Sequence, residues 1–209
     1  MQIVDLIRTG LSQFPFPTDD ELIEKSAAFI DQLARWNKIF SLTSIRAPED
    51  MVVHHLLDSL SIAPYLTGSR IIDVGSGAGL PGIPLALLYP LKKFTLLDSN
   101  GRKTRFMTQV VIDLDIGNVS VVQSGVEQYK ERQFDHVLCR AFAPLETIAA
   151  KVSHLLCNQG NVLAMKGKHN QDSELEPGSM LRVQQVIPLC VPLMDAQRCL
   201  VELRRRENT

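Results

Sequence analysis

The chain has 209 residues, 45% apolar and 22% charged, with a formal net charge of −1. That length allows one sizeable core and excludes two full domains joined by a linker, while the near-zero charge excludes a polyanion binder that works by bulk charge alone. No apolar run reaches the roughly 18 residues of a membrane span, and the opening Met1-Gln2-Ile3-Val4-Asp5 lacks the basic-then-apolar layout of a secretion signal, so a cytoplasmic protein without membrane association is expected.

Residues 1 to 68 carry 5 Lys+Arg against 9 Asp+Glu and read as helical. Thr18-Asp19-Asp20-Glu21 has the form of a capped helix start. Two apolar stripes follow at helical spacing, Ile23, Ala27, Ile30 and Ala34 beside Phe29, Leu33, Trp36 and Phe40. Phe29, Trp36 and Phe40 read as packing residues and not as a platform for nucleobases. A second helix follows Pro48, with Met51, Val52, Leu56 and Leu60 inward, and ends near Pro64. His55 on it reads as a satisfied helix residue, not as a catalyst.

From Arg70 the pattern changes to short apolar runs alternating with amphipathic segments, the signature of a parallel sheet covered by helices. The runs are Ile71–Val74, Phe94–Asp98, Val119–Val122, Phe134–Leu138 and Asn161–Met165, with helices expected over 80–89, 100–114, 126–130 and 144–157. Two strand-like segments, 180–188 and 198–205, follow without an intervening helix and predict an antiparallel hairpin. The division is thus a helical extension over 1–68 and an α/β unit over 69–209, the latter with 17 Lys+Arg against 14 Asp+Glu. Basic residues cluster at Arg102-Lys103-x-Arg105, Lys166-x-Lys168 and Arg204-Arg205-Arg206, either as a local basic face or as solvated surface. Cys139, Cys157, Cys190 and Cys199 include no Cys-x-x-Cys pair and have no His at ligand spacing, so free thiols and no metal are expected.

The strongest local signal is Ile71-Ile72-Asp73-Val74-Gly75-Ser76-Gly77-Ala78-Gly79-Leu80-Pro81-Gly82. Glycines here let the chain turn sharply from strand to helix and let a ligand approach the backbone, and Pro81 suits the first helical turn. Two ligand classes use such turns. The dinucleotide fingerprint Gly-x-Gly-x-x-Gly is met only from Gly77, one turn late. The spacing Asp-x-Gly-x-Gly-x-Gly, from Asp73, is that of the first motif of class I methyltransferases. Asp98 ends the second strand, where a carboxylate can accept both hydroxyls of an adenosine ribose in either class. Glu127, after the third strand, lies where such folds contact adenine.

Six segments together resemble the bacterial ribosomal RNA small-subunit methyltransferase G family, also called glucose-inhibited division protein B. They are Trp36–Ser44, His55–Leu60, the turn Asp73–Pro84, Leu96–Ser99, Arg140–Ala143 and Met165–Gly167. The resemblance implies a Rossmann-like seven-stranded sheet of order 3-2-1-4-5-7-6 and a monomer. It also implies S-adenosylmethionine as cofactor, and as substrate N7 of a guanine near the decoding site of 16S ribosomal RNA or of the small subunit. Carried over residue by residue, it assigns cofactor contacts to Gly75, Leu80, Val126, Glu127 and Arg140, the ribose to Asp98, and basic site roles to Lys166 and Arg198. Asp73, Gly77 and Gly79 belong to the same binding turn. The chain departs from the family in having Ser41 where Asn is common and Gly125 where Arg is common.

Guanine N7 offers a lone pair and loses no proton, so no general base is obligatory and alignment in a dry site is the main task. His54, His55, His136 and Asp58 are then replaceable as bases. Cys139 follows Leu138 in a strand and reads as buried rather than nucleophilic. Arg140 lies at a strand end, where open α/β sheets bind ligands, and Phe142 reads equally as a stacking or a core residue. The competing functions are an NAD-dependent oxidoreductase, which lacks a recognisable hydride-donor site here, and a non-catalytic nucleotide-binding regulator.

Overall fold

The computed structural model describes residues 2–167, 175–176 and 178–206; Lys168 of the basic cluster expected at 166–168 lies outside them. Before the sheet come α1 (Ile3–Leu11), α2 (Asp20–Phe40) and a helix built of α3 (Pro48–Met51), a π turn (Val52–Leu57) and α4 (Asp58–Leu60). Asp19 caps α2 as expected, its carboxylate accepting the Leu22 amide at 2.8 Å. Met51, Val52, Leu56 and Leu60 are fully buried.

The sheet comprises β1 (Arg70–Val74), β2 (Lys93–Asp98), β3 (Val119–Gln123), β4 (Phe134–Arg140), β5 (Leu156–Lys166), β6 (Leu181–Leu189) and β7 (Arg198–Arg205). Its order is β3-β2-β1-β4-β5-β7-β6, the order the resemblance implies. β1 to β5 run parallel, and β7 pairs antiparallel with both β5 and β6. β1 sits between β2 and β4, so the chain crosses to either side of it and a crevice opens at the strand ends. Helices α5 (Gly82–Leu88), α6 (Gly101–Asp113) and α7 (Leu145–Val152) follow β1, β2 and β4.

The sheet is buried on both faces. One face, carrying Ile71, Phe94, Leu96 and Leu138, packs with α5, α6 and the helices before β1 in a single cluster. The other, carrying Ile72, Val74, Val137 and Ala164, packs against α7. Burial on both faces is why these strands read as continuous apolar runs. No helix is long and apolar enough to cross a membrane among the described residues.

Three elements differ from the sequence reading. Residues 126–130 form one turn, held by the Gln128 amide to the Gly125 carbonyl, instead of a helix; five residues are too few to offset helix nucleation. The helix expected over 144–157 ends at Val152, and β5 begins at Leu156 with a register shift against β4. Gly160 permits that shift, since a Cβ there would meet the Phe134 carbonyl oxygen at 2.7 Å. Pro81 sits outside α5, as its N-cap, and not within its first turn.

Phe106 of α6 is fully buried and joins the two parts of the chain, its ring lying 6.4 Å from Phe29 and 5.5 Å from Trp36 of α2. We expect Phe106→Ala to lower unfolding free energy by about 3–5 kcal/mol in urea titration. A loss under about 1 kcal/mol would show that α2 and α6 do not share a tightly packed core.

Candidate active site

The turn after β1 is fixed from beneath. The amides of Gly75 and Ser76 both donate to the Leu97 carbonyl, at 2.8 and 3.2 Å, tying the turn to β2. Gly75, Gly77 and Gly79 adopt φ of +70°, +59° and +78°, a region closed to most side chains. At Gly75 a Cβ would also lie 2.6 Å from the Phe142 ring, so glycine is needed there twice over.

Asp73, fully buried under this turn, accepts the Gly82 amide through Oδ2 at 2.9 Å. Its Oδ1 is buried and has no hydrogen-bond partner among the described residues. Burial raises its pKa from 3.8 to about 7, against the opposing pull of the Gly82 amide and of Arg140. A buried acceptor without a donor is costly, and a cationic donor at Oδ1 would remove that cost.

Beside the turn opens a cleft of about 360 Å³, lined by Gly75, Asp98, Lys103, Gly125, Val126, Glu127 and Phe142 among others. That volume lies in the roughly 300–1,000 Å³ range of small-molecule sites. A larger hollow of about 980 Å³ lies at the opposite ends of the strands, around Arg70, Lys93 and Asn118, remote from the turn and the conserved geometry of strand-end sites. Asp98 accepts the Gly77 amide at 2.9 Å and the Asn100 amide at 2.8 Å, one on each oxygen. Each carboxylate oxygen keeps a second lone pair for a ligand. Glu127 is exposed and accepts a 2.6 Å hydrogen bond from Lys151, which holds its pKa below the usual carboxylate value. A Cβ on Gly125 would meet nothing nearer than the Glu127 carboxylate at 3.5 Å, so the backbone does not require glycine there.

At the ends of β4, β5 and β7 stand Arg140, Lys166 and Arg198. Arg140 and Arg198 converge on one carboxylate, that of Asp58, at 3.1 and 3.0 Å. Arg140 also donates to His55 Nδ1 at 2.8 Å and to Ser59 Oγ at 3.4 Å. A guanidinium can only donate, which asks Nδ1 to accept, whereas the His54 carbonyl 3.0 Å from the same nitrogen asks it to donate; Nε2 lies 2.8 Å from Thr43 Oγ1. Burial, then the Arg140 charge, lowers the His55 pKa to about 4 and keeps the ring neutral. Asn37 completes the chain, accepting the Thr43 amide and donating to the Ile45 carbonyl, both at 2.9 Å. Lys166 stands apart, donating to the Ala143 carbonyl at 2.6 Å.

The structure therefore brings Gly75, Asp98, Val126 and Glu127 together at the cleft, with Asp73 beneath it and Gly77 bonded to Asp98. Leu80 and Gly79 are not among its lining: Leu80 is 7% exposed and part of the main core, and a Cβ on Gly79 would abut Ile83. Cys139 is buried and its thiol pKa is pushed far above the usual range by that burial. Missed at the level of single residues were Asn37, Thr43, Ser59 and the carboxylate partner role of Asp58. The signal was present as polar residues breaking the inward face of the helix after Pro48. Helical spacing at 3.6 residues per turn does not predict their convergence, because the π turn at Val52–Leu57 rotates the phase.

Asp58→Ala would leave two guanidiniums, 17% and 26% exposed, without their counter-charge; we expect about 3 kcal/mol of destabilisation in urea titration, and a neutral outcome would show that solvent already screens the pair. Asp73 gives a pH test. Folded, it holds its proton to about pH 7, whereas unfolded it releases it near 3.8, so the stability from this group is present at low pH and lost as pH rises between those values. Asp73→Asn removes that loss, and its stability relative to the parent should improve from pH 5 to pH 8. A stability difference that does not change with pH would show Asp73 ionised throughout.

Comparison with known proteins agrees with this geometry. The family model for rRNA small subunit methyltransferase G matches residues 22–201. A Ribosomal RNA small subunit methyltransferase G from Psychromonas ingrahamii is 40% identical over 206 residues, 98% of this chain and 100% of the relative. Its namesake from Vibrio vulnificus is 44% identical over 200 residues, 95% of each chain. Among solved structures, the mitomycin 7-O-methyltransferase MmcR gives a TM-score of 0.62 at 12% identity, covering 90% of this chain and 67% of that one. MtNAS in complex with S-adenosylmethionine gives 0.59 at 15% identity, covering 90% and 72%. These two likenesses establish the fold, that of class I S-adenosylmethionine-dependent methyltransferases. With the family model spanning most of its length and full-length relatives at these identities, the chain belongs to the rRNA small subunit methyltransferase G family.

Proposed function

We propose that this chain transfers a methyl group from S-adenosylmethionine to N7 of a guanine near the decoding site of 16S ribosomal RNA, acting in the cytoplasm as a monomer. The observation that carries the reading is membership, over residues 22–201, of a family named for methylation of small-subunit rRNA.

The residues present fit the cofactor. The unpartnered Oδ1 of Asp73 suits a cationic amino group, Asp98 retains acceptor capacity for ribose hydroxyls, and Val126 and Glu127 border the far wall of the cleft. When bound, S-adenosylmethionine supplies a methyl group activated by its sulfonium. The chain's own task is then to align the base and exclude water. Arg140 and Arg198 share one carboxylate, so the cluster keeps one net positive charge at the strand ends, which suits an RNA phosphate. Lys166, at the end of β5 and outside this cluster, adds a second cation.

Nothing in the cluster is poised to remove a proton. His55 is neutral with both ring nitrogens engaged. His136 is bonded to Asn161 and to the Gly68 amide at the opposite ends of the strands. Asp58 is held by two guanidiniums. Such a site serves a nucleophile that is already a lone pair, as guanine N7 is.

Mass spectrometry of 16S rRNA from cells with and without the gene tests the assignment, and unchanged 7-methylguanosine at the decoding region would sink it. Apart from losses of binding or folding, to which Asp73 contributes near pH 7, single-turnover methylation of that RNA should show no ionising group acting as a base between about pH 6 and 9. Replacement of His54, His55, His136 or Asp58 should alter the rate without moving its pH dependence. A tenfold fall per pH unit that disappears with one of these groups would instead reveal a general base.

A further inference from the structure

The last turn of α2 carries more apolar surface than its packing uses. Trp36 packs on Phe106 and, with ring centroids 5.3 Å apart, on Phe40. Yet Phe40 is 39% exposed and its neighbour Ile39 is 75% exposed. The reading of both aromatics as packing residues therefore holds for Trp36 and not for the outer face of Phe40. Across the seam with α6, Arg105 joins Trp36, Thr104 and Gln123 around an open hollow, and Arg102 stands one turn earlier. Lys38, Arg102 and Arg105 are exposed, and none has a carboxylate within ion-pair distance among the described residues.

Position gives the seam its meaning. Gln123 lines the hollow while the next residue, Ser124, lines the cofactor cleft, and Lys103, between the two arginines, stands on the wall of that cleft. On the other side, the chain leaving α2 runs through Thr43 to His55 and Arg140. The acids of α2, Asp20, Glu21 and Glu24, lie at its far end, about 20–30 Å away along the axis, and Asp31 pairs with Arg35. The seam is thus apolar, locally cationic and continuous with the site.

Resting on the RNA reading above, we propose that this seam docks an unpaired stretch of RNA flanking the methylated base. Its bases stack against Phe40 and Ile39, and its phosphates meet Arg102 and Arg105. Unpaired bases are the ones that can be splayed onto apolar and aromatic side chains; a duplex keeps its base faces stacked. An apolar protein partner would leave Arg102 and Arg105 desolvated without counter-charge.

The test uses the full chain and small ribosomal subunits from cells that lack the modification. Arg102→Gln with Arg105→Gln should weaken subunit binding about tenfold and flatten the slope of log affinity against log salt by about 1.4, the loss of two single-strand phosphate contacts. Ile39→Ser with Phe40→Ser should weaken binding about tenfold with the salt slope unchanged. Calorimetric affinity for S-adenosylmethionine should stay parental in both variants. Parental subunit affinity in either variant overturns the proposal. So does sedimentation that finds the parent dimeric and the Ile39/Phe40 variant monomeric, since the knob would then join two copies of the chain. A parent that neither binds nor methylates subunits overturns the RNA reading itself, whereas an active parent with unaffected variants overturns only the seam.

Discussion

Positive charge held partly out of water is the constraint around which the strand ends are arranged. Arg140 is 17% exposed and its partner Asp58 6%. An uncompensated charge at such depth costs several kcal/mol, so the guanidinium requires an acid at ion-pair distance, closer than Asp73 of β1 stands. The helix before β1 supplies it, and the same carboxylate also meets Arg198 from β7. Once the carboxylate is placed, burial of the ring and the Arg140 charge keep His55 neutral. Its Nε2 lies against Thr43 Oγ1, and Asn37 pins the loop that carries Thr43.

Arg140 also links the two halves of the site. Burial drives the rise in the Asp73 pKa, with a minor push from Asp98, and the Arg140 charge opposes it. Asp73 and His55 titrate between about 4 and 7 from opposite sides: the acid favours the folded state when protonated, the imidazole when neutral. A cationic group arriving at the free oxygen of Asp73 would favour the ionised acid. A donor at that oxygen and a proton on it would therefore exclude one another.

The parallel core was legible because its strands are buried on both faces and so appear as apolar runs bounded by glycine, proline and charge. The turn was legible for a different reason: three positive-φ glycines and two acids are hard to place anywhere else. Less visible were features that depend on exceptions to regular spacing. The π turn brings His55, Asp58 and Ser59 to one guanidinium, and a 3.6-residue pattern gives no hint of it. The early start of β5 depends on Gly160 meeting the neighbouring backbone, a long-range contact. Leu80 illustrates the converse, since a position carried over by resemblance to the cofactor site proves to bury its side chain in the core, leaving only its backbone near the turn.

The change of element type near residue 68 is not a change of core. Phe29, Ile30 and Leu33 of α2 share one apolar cluster with Ile71, Phe94 and Phe106, and the polar chain from Asn37 to Asp58 reaches the ends of β4 and β7. The sheet alone would present Arg140 and Arg198 with no acid at ion-pair distance, two like charges that repel and are costly to bury. The helical segment is therefore a wall of the site: it neutralises one of two cations, leaves the other charge for a ligand, and places the exposed end of α2 beside the cofactor cleft. Four of its nine acids, Asp19, Asp20, Glu21 and Glu24, gather at the opposite end of α2, away from the strand ends.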